Sequence, residues 1–430
     1  MGTALSSLNG NNREETVPMF GIAEWMCYHA NYEVAVEGPE AIDRCIEKHL
    51  EKGVDHIVWN CGRSVVDYWS DLPNSTQMCE KGTRVGGEDW SFVRKVMDRV
   101  CPLSRAIEQS RRRGATLYGR LCMNRHYGSQ KSRGVTSDFA RRNPVYREQT
   151  PAGNQISHKL SYGIEDVQQE RLDILLEIQR IGVKGLVLDF CRQMPILLYH
   201  PSLVKPYLQQ TGRDPRSIDS ADPDDYAEWF QWRADVLTDF MSRLRQNVMD
   251  QERDLGRPCP VIARIPDAPE WLSVAFGLDV KKWCRNDLVD ALMLSPFPLC
   301  MEDTGRHFSY HVRTAHEYGK PCIGGIGSRK LIKSGTHQNK GFYHPQPVYT
   351  LADAQYRAGV DAMSVYQSDT LVRMKYLTRL LKDLRQPRAI RRRLAKMNPP
   401  DVPPEYPIGL DWHARPAYSL RGEAVGKKSL

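Results

Sequence analysis

Asp189 ends the run Gly182-Val-Lys-Gly-Leu-Val-Leu-Asp-Phe-Cys-Arg192, in which an apolar strand meets a carboxylate and an arginine follows three positions later. A lone carboxylate inside a strand carries a heavy desolvation cost, so Asp189 belongs where the strand leaves the core. In alternating strand–helix barrels that end is where catalytic groups collect. An ionised carboxylate there can attack or stabilise a developing positive centre, and a second carboxyl group can hold or take a proton. The competing role for Asp189 is an ion pair with Arg192 or Arg264 that closes the barrel rim.

The elements that must position these groups recur along the chain. Gly53-Val-Asp-His-Ile-Val-Trp-Asn60 and Gly359-Val-Asp-Ala-Met-Ser-Val-Tyr366 share the form of the run before Asp189, and Val289-Asp-Ala-Leu-Met-Leu-Ser295 lacks only its glycine. Each places a helix-stopping residue or turn just before a short apolar run. Ile174, Leu175, Ile178 and Ile181 recur at helical spacing ahead of Gly182. Eight strands are expected: Met19–Glu24, His56–Asn60, Thr116–Leu121, Leu186–Asp189, Val261–Arg264, Ala291–Ser295, Cys322–Gly325 and Ala362–Tyr366. Alternation with helices predicts a parallel sheet in an α/β fold, and eight units predict a single closed (β/α)8 TIM barrel with long loops after strands 3, 4 and 7. An open doubly wound sheet also alternates, but no G-x-G-x-x-G follows an early strand.

The barrel is expected over residues 17–384, after a loose segment at 1–16 and before a basic, proline-rich extension at 385–430 that packs on the barrel or is partly disordered. The residues at the strand C-termini form the candidate site. They are Glu24 and Trp25, then Trp59, Asn60 and Arg63, then Arg120, Asn124 and His126, then Asp189 and Arg192, then Arg264 and Asp267, with Asp303 beyond strand 6, and Tyr366 and Gln367 after strand 8. Carboxylates, amides, arginines and aromatic rings together suit a hydroxyl-rich ligand. Asp189 is the expected catalytic carboxylate, with Asp267 or Asp303 as its partner. The other residues are expected to hold the substrate, with Trp25, Trp59 and Trp69 stacking on sugar rings.

The succession of a Trp-Asn strand, a third strand bearing Arg and Asn, and a fourth strand ending Asp189-Phe190-Cys191-Arg192 resembles the glycosyl-hydrolase-like TIM barrels, the family 10-like group and related uncharacterised bacterial domains. Leu160-Ser-Tyr-Gly-Ile-Glu-Asp-Val167 and Trp229-Phe-Gln-Trp-Arg233 resemble the segments that open two of its helices. The resemblance spans Met19 to Tyr366 at the level of pattern and implies glycoside hydrolysis without naming the sugar. One common arrangement on this fold places a glutamate after strand 7. Here that strand reads Cys-Ile-Gly-Gly-Ile-Gly-Ser328, so Asp189 must find its partner elsewhere.

The 430 residues carry a net charge of +8, mild for a nucleic-acid binder, and no apolar run long enough to span a membrane. The loop over 124–150 has six basic residues against two acids, and 327–349 has four and none. Positive clefts concentrate anions, so a uronate-bearing or sulfated glycan is the expected substrate. Eleven scattered cysteines without a C-x-x-C predict reduced thiols in a cytoplasmic protein, and the resemblance implies a bacterial enzyme of carbohydrate metabolism and polysaccharide degradation. Carbohydrate is the expected partner, without nucleic acid or membrane, and assembly into a homo-oligomer is left open. The expected reaction needs neither metal nor organic cofactor. The alternatives are a barrel lyase or isomerase acting on a sugar acid, and a glycan-binding barrel without catalysis.

Overall fold

The computed structural model describes Leu5 and residues 16–30, 38–126, 130–192, 194–218, 223–295, 307–327 and 345–397. Eight strands form the barrel: β1 (Met19–Ala23), β2 (His56–Gly62), β3 (Thr116–Cys122), β4 (Leu186–Asp189), β5 (Val261–Pro266), β6 (Ala291–Ser295), β7 (Cys322–Ile326) and β8 (Ala362–Tyr366). They pair in parallel in chain order, and β8 closes on β1. Each agrees with its expected span to within two residues. Gly114 and Gly359 end the helices before β3 and β8 in the left-handed conformation, at φ 74° and 100°, which side chains with a Cβ rarely adopt.

Successive residues of a strand face opposite sides, so each strand feeds two cores. Met19, Ile57, Trp59, Leu121, Leu188, Ala263, Leu294 and Val365 pack outward against the helices. Phe20, Ile22, Val58, Tyr118, Val187, Ile262, Met293 and Tyr366 face the lumen, where Leu5 joins them. Phe20 stacks on His56 with ring centroids 4.6 Å apart and meets Tyr118 at 5.5 Å, which fills the lower barrel. Two residues further along six of the strands the luminal face turns polar. Ile22 gives way to Glu24, Val58 to Asn60, Tyr118 to Arg120, Val187 to Asp189, Ile262 to Arg264 and Met293 to Ser295. The barrel is thus an apolar plug with a charged layer at its C-terminal end.

The connections after β3 and β4 carry structure of their own, a hairpin (Arg147–Gln149 with Gln155–Leu160) and a helix (Pro201–Thr211). Much of the long connection after β7 lies outside the described residues. The connection after β2 is a fourth long one, which the sequence did not suggest. It turns back at a Gly62–Val66 bridge and holds a short ribbon (Arg84–Val85 with Glu88–Asp89) and the helix Ser91–Met97. Beyond the barrel, the helix Pro387–Leu394 buries Ile390 and sets Arg391 against Asp353 at 3.3 Å. No helix among the described residues is long and apolar enough to cross a membrane.

The packing of β3 on its following helix, Glu165–Ile181, is tight. A Cβ on Gly119 would stand 2.4 Å from Ile178 Cγ2 and 3.2 Å from Val183 Cγ1. Gly119→Ala is expected to cost about 1–3 kcal/mol by overpacking, read as a lower denaturant midpoint with an unchanged m-value.

Candidate active site

Arg120 organises the charged layer. Its Nε lies 3.1 Å from Asp189 Oδ2 and its Nη2 3.3 Å from Glu24 Oε1, so one guanidinium joins the ends of β1 and β4. Asp189 Oδ1 accepts from Arg264 Nη1 at 2.8 Å and from the backbone N–H of Cys191 at 3.0 Å. Arg264 also donates to Ser295 Oγ at 2.8 Å. Glu24 receives Arg63 Nη2 as well. Tyr366 lies among the cations: Arg192 Nη2 donates to its hydroxyl at 2.7 Å, and the guanidinium of Arg264 sits 4.7 Å from its ring centroid. These side chains are all buried except Arg63, which is partly open.

Burial alone would push the Asp189 carboxyl up, but Arg264 and Arg120 outweigh it and hold the group below the ordinary aspartate range. Burial likewise opposes the ionisation of Glu24, and Arg63, Arg120 and Arg192 override it strongly. Two further carboxyl groups behave in the opposite way. Burial and the nearby Glu24 charge push Asp369 up to about 7. Asp67 is also pushed up to about 7, by burial first and by Glu24, against the opposing effect of Arg63. The site therefore holds two firmly ionised carboxylates beside two that keep a proton to near neutrality.

Among the buried polar atoms around this centre without a hydrogen-bond partner among the described residues are Asn60 Oδ1, Asn124 Nδ2 and Arg120 Nη1. Asn60 and Arg120 face the lumen, and Asn124 follows the end of β3. Together they offer two donors and one acceptor.

The expected site residues separate into groups. Glu24, Asn60, Arg63, Arg120, Asp189, Arg192, Arg264 and Tyr366 come together in the layer. Trp25 and Trp59 are completely buried on the outward side, packed against helices, and have no face open to a sugar. Strand parity, applied to Trp59 next to Asn60, would have excluded it. Trp69 is half exposed, but its Nε1 donates to Met97 O at 2.6 Å and its neighbours Tyr68 and Ser70 bind Glu177, on the flank of the barrel. His126 is buried beside Glu170, with Nε2 3.9 Å from Oε2, in a neighbouring cluster completed by Arg171. Burial and Arg171 push its ring pKa down. Asp267 accepts the backbone N–H of His307 at 3.0 Å and so fixes the start of the helix Phe308–Glu317. Asp303 lies outside the described residues. Gln367 takes a left-handed conformation at φ 52° between Tyr366 and the short helix Ser368–Leu371, a costly backbone of the kind that collects at functional sites. Asp67 is the residue that sequence reasoning missed.

In the basic loop after β3, Arg141 pairs with Asp138 at 3.1 Å and Arg147 donates to backbone carbonyls. The arginines in contact with the charged layer are Arg63, Arg120, Arg192 and Arg264.

No family model matches the chain, and no curated protein matches it. Solved structures share its fold. The glycoside hydrolase domain of PgaB (BpsB) from Bordetella bronchiseptica superposes with a TM-score of 0.57 at 14% identity, covering 86% of this chain and 99% of that one. The catalytic domain of a β-amylase from Paenibacillus polymyxa gives 0.51 at 11% identity over 90% and 100% of the two chains. An α-L-fucosidase isoenzyme from Paenibacillus thiaminolyticus gives 0.50 at 13% identity, covering 89% of this chain and 50% of that one. The likeness is one of fold: this chain has the (β/α)8 barrel on which these glycoside hydrolases are built.

Arg120→Met would leave Asp189 and Glu24 without their shared cation. A loss of about 3 kcal/mol or more in stability is expected at neutral pH. Both carboxyl groups titrate below their ordinary values, so the stability they lend is present above about pH 4 and is lost as pH falls. The deficit of Arg120→Met relative to wild type should accordingly shrink as unfolding is measured at lower pH.

Proposed function

We propose that the chain is a glycoside hydrolase that cleaves an oligo- or polysaccharide at the C-terminal mouth of the barrel, with Asp189 as its principal catalytic carboxylate. The observation that carries this reading is Asp189 itself, at the C-terminal end of β4 between Arg120 and Arg264, with unmatched polar atoms on Asn60 and Arg120 of the neighbouring strands and on Asn124 just beyond β3. Sugar hydroxyls donate and accept, and so suit such atoms. The fold shared with solved glycoside hydrolases supports the same class.

An ionised carboxylate beside the anomeric carbon favours the oxocarbenium-like transition state, by attack or by activating water, while a second carboxyl group protonates the leaving oxygen. Asp267 and Asp303 are the candidates that the sequence offers for that second group. An anionic substrate, uronate-bearing or sulfated, is supported by Arg63, Arg120, Arg192 and Arg264 around two ionised carboxylates. In a buried, low-dielectric site, such an excess of cations favours a negatively charged ligand. The same arginines support the second reading, a lyase or isomerase that grips the carboxylate of a sugar acid.

A panel of neutral and anionic aryl glycosides, offered to wild type and Asp189→Asn, tests the proposal. Wild type is expected to release the aryl group and Asp189→Asn to lower kcat by at least about 100-fold, measured below the melting point of both proteins. Equal rates would remove Asp189 from the reaction. A product with a new double bond would favour the lyase reading. Unchanged sugar affinity with no turnover by either protein would leave a binding barrel.

A further inference from the structure

The proposed hydrolysis needs a carboxyl group that carries a proton, and neither Glu24 nor Asp189 is free to do so. Glu24 is held by Arg63 and Arg120, and Asp189 by Arg120 and Arg264. Asp67 differs from both. Its Oδ2 accepts from Asn60 Nδ2, and the structure gives it no ion pair among the described residues. Its backbone N–H donates to Cys61 O at 2.8 Å, where the chain folds back on β2 and brings the side chain to a luminal residue. It is 4% exposed and therefore poorly solvated.

We propose that Asp67 is the proton donor that works with Asp189. The inference rests on the glycosidase reading and gives it its second carboxyl group. Asn60, which binds Asp67, is the register partner of Arg120 on β3, and Asp189 stands at the end of β4, the next strand. Through Asn60, Asp67 thus stands two strands from Asp189 at the same end of the barrel. Glycoside hydrolysis sets its two carboxyl groups about 5–9.5 Å apart across the scissile bond. Unmatched Asn60 Oδ1 lies next to Asp67 and provides an acceptor for a sugar hydroxyl at the same point.

The titratable and charged groups that act on Asp67 are Glu24 from the end of β1, Cys61 and Arg63 from β2 and its exit, Arg120 from β3, and Cys79 from the connection after β2. Burial and Glu24 raise its pKa while Arg63, Arg120 and the Asn60 amide lower it, and the balance leaves it protonated up to about pH 7. In the reaction the Asp67 proton moves to the glycosidic oxygen as the bond from that oxygen to the anomeric carbon breaks, and the bonding pair stays on the oxygen. Asp189 engages the anomeric carbon directly or through a water. One water is consumed overall, its hydroxyl ending on the anomeric carbon and its proton restoring the carboxyl pair.

The test compares two leaving groups on the sugar that wild type hydrolyses best, dinitrophenol, which departs without a proton, and methanol, which does not. For Asp67→Asn, kcat/KM is expected to fall by about 100-fold or more on the methyl glycoside and far less on the dinitrophenyl one. The alkaline limb of the pH profile should vanish. Asn60→Ala removes a bond that lowers the Asp67 pKa, so its alkaline limb should move to higher pH, which a merely structural role would not produce. Equal losses on both leaving groups, no loss on the methyl glycoside, or an unmoved limb in Asn60→Ala would overturn the assignment. Hydrolysis that Asp189→Asn abolishes and Asp67→Asn leaves intact overturns the role of Asp67 alone. Absence of hydrolysis by wild type overturns the reading beneath it.

Discussion

The guanidinium of Arg120 is the constraint on which the rest of the barrel mouth depends. It stands fully buried between Asp189 and Glu24, with Arg264 and Arg63 behind them. Removing ions from water costs several kcal/mol each even after the protein relaxes. An apolar layer of the same volume would close a barrel as well or better. A network of this kind is therefore poor evidence of a device for stability and good evidence of a site whose charges are needed. The apolar floor beneath it, from Phe20 to Met293, isolates it from solvent on the lumen side and makes every one of its interactions stronger.

From that constraint the chemistry of the neighbours follows. Cations on both sides keep Asp189 and Glu24 ionised. Burial first, and then the charge thus fixed on Glu24, push Asp67 and Asp369 up and keep them protonated to near neutral pH. Carboxyl groups whose environments drive their pKa values apart are the pattern by which acid and base roles are divided in glycoside hydrolysis. Tyr366, in contact with Arg192 and Arg264, ties β8 into the same layer and closes the ring of strands around it.

Much of this could be read from the chain. The eight apolar runs and the polar residues at their ends located Asp189, Arg120, Arg264 and Glu24, because strand alternation and chain order decide which end of a barrel is open. Trp25 and Trp59 were misplaced by the same evidence, since residues next to a strand end face the helices as often as the lumen, and only parity separates them. Asp67 was not legible. It reaches Asn60 because the chain reverses at Gly62 after an irregular step in β2, and that long-range geometry leaves no periodic trace. The glycines of β7, which broke the expected glutamate position, have a packing reason. The Gln355 side chain from the next helix bonds both the N–H and C=O of Gly325, at 2.7 and 3.0 Å, and a Cβ on Gly324 would stand 2.5 Å from its Oε1.

The central claim is that the arginine–carboxylate layer is where sugar is bound and cut. Buried guanidinium groups exchange slowly with water, and their Nε nuclei can be followed by nitrogen-15 NMR. Titration with an unbranched oligouronate, set against its neutral counterpart, is the most direct test. The account predicts saturable shifts of the Arg120, Arg192 and Arg264 Nε resonances, larger for the oligouronate. Shifts confined to arginines elsewhere on the surface, or hydrolysis with these three unmoved, would contradict it.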